Sequence, residues 1–208
     1  MLLPMKKGRG IVAWVHSAQL LDHRLLLLAL LFLLGTACGA LAAVRIGGED
    51  ASLAKGALRI YLQTHPTLSM QDRFMQTMLP NLALLGVVFF SGFCAVAEPI
   101  LLFLPFFKGL GFGMITSFLL QQSGISAVKV IAISVFPVTL WSSALLLLAC
   151  RDAGLLSSGI REASRRGGPV STDRFCAMML LYFLLLCIGC AVQAWSGVSL
   201  WSRYLPLA

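Results

Sequence analysis

Polar sequence is what this chain has least of. Charged residues make up only 12% of its 208 positions, and its longest polar segment is 45–79. A soluble catalytic domain usually needs at least ~50 residues, so none fits. Histidine is also scarce: His16, His23 and His65 are scattered singly and make no metal site. No nucleophile–base pair, phosphate loop or metal cluster is present, so the expectation is a non-enzymatic protein with no cofactor. Cys38 follows Gly35-Thr36-Ala37 and has no leucine three residues upstream, which argues against a lipoprotein signal. Cys187-Ile188-Gly189-Cys190 is formally a CxxC, but no βαβ pattern surrounds it, as a thioredoxin-like motif requires. The other cysteines, Cys94, Cys150 and Cys176 among them, sit in or at the ends of apolar runs, where thiols behave as small hydrophobes.

What is there instead is apolar sequence. Hydrophobic residues make up 59% of the chain and the mean hydropathy is +0.90. Crossing a ~30 Å hydrocarbon core takes ~20 apolar residues at 1.5 Å each. Runs at 25–44, 80–97, 99–120, 125–149 and 175–198 approach that length. The fold class expected is all-α: a polytopic membrane helix bundle of about five transmembrane helices, with a broken or kinked third segment.

The net charge of +8 belongs to this topology and not to nucleic-acid binding. Lys6, Lys7, Arg9 and Arg24 precede the first span. Arg151, Arg161, Arg165, Arg166 and Arg174 fill the segment before the last. Both clusters belong on the cytoplasmic side by the positive-inside bias, where they also meet anionic lipid. An even number of crossings must separate them, and four lie between, so the N-terminus is expected inside and the 199–208 tail outside. The basic start, the apolar Leu25–Leu34 and Ala40-Leu41-Ala42 imitate a cleavable signal, but the apolar stretch continues to Val44 and reads as an uncleaved span.

Between the spans, residues 1–24 form a cytoplasmic N-terminal segment. Ile11, Val15, Ala18 and Leu21 recur in it at helical spacing, as in a short surface helix or a solvated stub. Segment 45–79 carries two amphipathic patterns separated by His65-Pro66. They either cap the bundle or offer a partner an apolar face bearing Leu58, Tyr61, Phe74 and Met78. Segment 150–174 reads as a basic cytoplasmic loop. Pro137 falls near the middle of the fourth run and predicts a kink.

Glu98-Pro99 is a natural turn between the second and third runs. If Pro99–Leu120 is one span, Lys108 lies about ten residues deep, roughly 15 Å. If the second helix instead continues to about Leu104, only about 18 Å remains for the next crossing, which is too short. A half-helix Pro99–Phe107 with a break at Lys108-Gly109 is the third option. Ionisable groups inside a membrane are expensive, so Glu98 and Lys108 stand out. A lysine at that depth needs a partner such as Asn81 or a carbonyl freed by Pro105 or Pro137. Gly35, Gly39, Gly109 and Gly113 have the spacing that lets helix backbones approach closely.

The run Pro99-Ile-Leu-Leu-Phe-Leu-Pro-Phe-Phe-Lys108-Gly109, continuing to Gly113 and then to Val135-Phe136-Pro137, resembles the stage II sporulation protein M family. The first span's Leu33-Leu34-Gly35-Thr36-Ala37-Cys38-Gly39-Ala40 and Asn81 are similar to it too. The resemblance covers most of residues 25–150 and departs at Glu98 and in the length of the basic loop. It implies a non-enzymatic subunit of an endospore engulfment complex, multi-pass in the septal membrane of a bacterial mother cell. The implied partners are a bitopic peptidoglycan amidase/endopeptidase and, through it, a lytic transglycosylase. The rival expectation is the permease subunit of a small transporter, suggested by Lys108, Glu98 and the bent spans.

Overall fold

A computed structural model describes residues 9–46, 69–94, 97–123, 136–166 and 172–204, with side chains described for 23–45, 69–94, 97–121, 136–164 and 172–195. Five helices account for nearly all of it: α1 (Arg9–Ile46), α2 (Met70–Gly92), α3 (Glu98–Ser123), α4 (Phe136–Arg166) and α5 (Asp173–Tyr204). Each contains a stretch long and apolar enough to cross a bilayer: His23–Arg45, Met70–Gly92, Glu98–Gln121, Phe136–Ser164 and Asp173–Trp195. The protein is an all-helical, multi-pass membrane bundle. Large side chains such as Leu33, Leu41, Phe90, Leu180 and Trp195 lie on its exposed surface, as a lipid solvent permits.

The expected N-terminal segment is not a separate element. No glycine or proline falls between Ile11 and Leu34, so nothing interrupts the 38-residue α1. Segment 45–79 needs a larger correction, because its last ten residues belong to α2. Ser69 caps that helix: its Oγ accepts from the Asp72 N–H at 3.2 Å and donates to the Asp72 carboxylate at 2.7 Å. The helix then runs on through Pro80. Phe74 and Met78 are partly buried and pack against the core. Leu58 and Tyr61 lie outside the described residues.

α2 ends at Gly92, five residues before the expected limit, with the Phe93 N–H closing onto the Phe90 carbonyl. α3 starts at Glu98 with Pro99 in its first turn, where a missing N–H costs nothing. The expected break in this third segment is absent. α3 continues for 26 residues with Pro105 inside it and fully buried, so Lys108 is part of an unbroken helix.

Pro137 also plays another role than the one expected. It stands in the first turn of α4 and makes no mid-span kink. At its other end α4 continues through Arg151 to Arg166, so most of the expected basic loop is helix. Leu146, Ala149, Cys150, Ala153, Leu156 and Ser157 are buried at three- and four-residue spacing, a stripe that carries the helix past its charges. The helix stops immediately before Gly167-Gly168-Pro169, a strong breaker.

α1 and α3 run parallel, since Arg24 meets Glu98 near one end and Ala43 meets Gln121 near the other. They form the most closely associated helix pair. α2, α4 and α5 make the second group. In it Gly92 faces Ala153 and Phe175, and Trp141 donates its indole N–H to the Leu185 carbonyl at 3.1 Å. Leu28, Val88, Leu101, Leu104, Leu145 and Leu186 join the two groups in one core.

Candidate functional site

Lys108 reaches from α3 to α2, where its ammonium donates to Asn81 Oδ1 at 2.7 Å. Asn81 is held in turn, because its Nδ2 donates to the Thr77 carbonyl at 2.8 Å. The amide therefore presents its oxygen to the ammonium in a fixed orientation. Beside this pair is a partly open pocket of about 10 Å³, lined by Ser142 of α4, Tyr182 of α5 and leucines including Leu85 and Leu145. That is room for about one water molecule.

Across the cavity, Tyr182 continues the polar path. Its hydroxyl donates to Asp152 Oδ2 at 2.7 Å. Arg151 supplies the opposite charge to Asp152 Oδ1, through Nε at 2.9 Å and Nη2 at 2.8 Å. Only 18% and 14% of these two side chains is exposed, so the pair is sheltered from water. Both carboxylate oxygens and two of the guanidinium nitrogens have partners of matching chemistry, which is what makes burial tolerable.

A third cluster occupies the Arg24 end of the bundle. The Arg161 guanidinium of α4 lies 3.1 Å from Glu98 Oε1, and that of Arg24 from α1 lies 3.8 Å from the same oxygen. Nearby, Ser157 Oγ donates to the Cys94 carbonyl at 2.7 Å, tying α4 to the end of the second helix. Glu98 and Lys108 do not meet: one sits at the end of α3 and the other ten residues within it.

The four glycines form a reciprocal joint. A Cβ at Gly35 would strike the Phe106 carbonyl, and one at Gly39 the Leu110 carbonyl; Gly109 faces the backbone of Phe32 and Thr36, and Gly113 that of Thr36 and Ala40. In each case the obstacle is main chain, which cannot swing aside. Gly111, between the two on α3, faces nothing within 4 Å. Polar side chains continue the seam, with Ser117 Oγ donating to the Ala40 carbonyl at 3.4 Å and Gln121 Nε2 to that of Ala43 at 3.3 Å. Such small-residue contact substitutes for the hydrophobic drive that lipid removes.

Sequence reasoning named Glu98, Lys108, Asn81 and the four glycines. It missed Asp152, Arg151 and Tyr182, because segment 150–174 read as a loop and Tyr182 as one more residue in an apolar run. The buried stripe from Leu146 to Ser157 was the available signal. No protein-family model matches the chain, and neither the curated proteins nor the solved structures yield a match.

Proposed function

We propose that this chain is a non-enzymatic integral membrane scaffold that recruits and localises peptidoglycan hydrolases at the septal membrane during endospore engulfment. One observation carries the scaffold part: Lys108 and Asp152, ionisable groups within the bundle, are each bonded to a side chain of a neighbouring helix. Lys108 holds α3 to α2, the Asp152 pair holds α4 to α5, and the cavity between them has the volume of one water. Groups arranged in this way brace a frame and leave little room for a solute. The peptidoglycan part rests on the likeness of Pro99–Gly113 to the sporulation family. By that reading the partner is a bitopic amidase/endopeptidase whose single helix packs laterally on the bundle.

The test is affinity capture of the tagged, full-length protein from sporulating cells in mild detergent. The expected result is co-recovery of a bitopic wall hydrolase together with a transglycosylase. Recovery of an ATPase alone would overturn the proposal. The pocket lined by Lys108, Ser142 and Tyr182 favours the permease as the second reading. Lys108→Met separates the two: a scaffold keeps its captured partner, whereas a permease loses flux.

A further inference from the structure

At the Arg24 end of the bundle two arginines share a single carboxylate oxygen. Arg24 opens the span His23–Arg45, Glu98 opens Glu98–Gln121, and Arg161 lies near the close of Phe136–Ser164. Three span ends from three helices therefore meet at one carboxylate. Two guanidinium groups share Glu98 Oε1, at 3.1 and 3.8 Å, so these three side chains together carry one net positive charge. Each guanidinium has five N–H donors in a planar fork, more than one carboxylate oxygen can take. Both side chains remain accessible, at 45% for Arg24 and 44% for Arg161. Gly154 of α4 is buried beside the Arg24 guanidinium, where a Cβ would stand 3.6 Å from Nη1, so Arg24 lies against α4.

We propose that Arg24 and Arg161 form a binding site for the phosphate of an anionic phospholipid, with Glu98 holding the two guanidinium groups in place while competing for their donors. The chemistry is charge-assisted hydrogen bonding from two planar forks to a phosphodiester. Its position at the ends of three spans selects a lipid headgroup over phosphate free in solution. Basic pockets between transmembrane helices recognise headgroups by the same means. The inference does not depend on the scaffold reading.

The experiment is native mass spectrometry of the full-length protein released from nanodiscs of mixed phosphatidylglycerol and phosphatidylcholine. The wild type retains phosphatidylglycerol preferentially. Arg24→Gln and Arg161→Gln each lower that retention about fivefold. Glu98→Gln raises it, because the competing carboxylate is gone. This gain is the decisive arm, since a purely structural Glu98 would yield a loss or no change. If the arginine variants fail to fold, the Glu98→Gln result alone decides: a rise supports the site and an unchanged or lower value overturns it. Displacement of the lipid by millimolar inorganic phosphate would overturn the headgroup as occupant. Equal retention of both lipids by the wild type would overturn the site itself.

Discussion

The α1–α3 pair and the α2–α4–α5 group solve one problem by opposite means. In α1–α3, four glycines remove the side chains and backbone rests on backbone. In the other group, side chains fill the space: Phe89, Phe93 and Phe175 meet with ring centroids 5.2 to 5.9 Å apart, and hydrogen bonds run from Tyr182 to Asp152 and from Trp141 to Leu185. A lipid solvent offers no hydrophobic reward for bringing helices together. Close approach earns dispersion contact in the first group, and polar partners supply specificity in the second. The first arrangement has no slack at its contact points, whereas the second contains a cavity and rotatable groups.

That contrast ranks the effects of substitution. Gly39→Leu in α1 should be the most damaging, because its side chain would have to occupy the Leu110 backbone. The expected loss is about 3 kcal/mol or more, enough to prevent recovery of monodisperse protein by size-exclusion chromatography in detergent. Gly111→Ala is its control, because nothing lies within 4 Å of that position. A large effect at Gly111 would erase the distinction between the two glycine registers.

Next comes Asp152→Ala, which strands the Arg151 charge among packed helices. About 3 kcal/mol is expected, read as a lower midpoint of thermal unfolding in detergent. Tyr182→Phe removes only the neutral donor to that carboxylate and should cost nearer ~0.6 kcal/mol, the average for hydrogen bonds within membranes. If the two variants proved equally costly, the Arg151 charge would add nothing beyond the Tyr182 hydrogen bond that links α5 to α4.

Asn81→Leu falls between these values. It deprives the Lys108 ammonium of its 2.7 Å acceptor, with an expected cost of about 1–3 kcal/mol. Adding Lys108→Met should restore most of that stability, since an apolar pair has no unmet polar group. A double variant as unstable as Asn81→Leu alone would mean that the amide matters for packing and not for the ammonium. Glu98→Gln is expected to have the smallest effect on stability, below about 1 kcal/mol, because Glu98 and both arginines are more than 40% exposed. The midpoint of thermal unfolding at low and high salt checks this.

Much of the joint was legible from spacing. Gly35–Gly39 and Gly109–Gly113 announce close approach, but spacing alone does not say that the two motifs meet each other, nor that they do so in parallel. Lys108 and Glu98 were legible as charges in apolar runs, and Asn81 as a possible acceptor. Asp152 was hidden because hydropathy falls sharply after Ala149 and Arg151 is adjacent, so the region reads as loop. The charges neutralise each other there, and the apolar stripe on the other face keeps the helix going. Phe74 and Met78 were ambiguous for a related reason: an amphipathic face looks the same whether it covers a partner or its own bundle.

Length and hydropathy were sufficient to determine that the chain is a set of membrane-crossing helices, because the cost of unpaired backbone groups in hydrocarbon leaves few alternatives. They also marked which glycines and which lysine would be costly to change. Only the tertiary structure decided which partner each polar group takes and where α2 and α4 begin and end. Those choices depend on contacts between residues far apart in the chain, such as Asn81 with Lys108 and Arg24 with Glu98, and no local pattern encodes the distance between them.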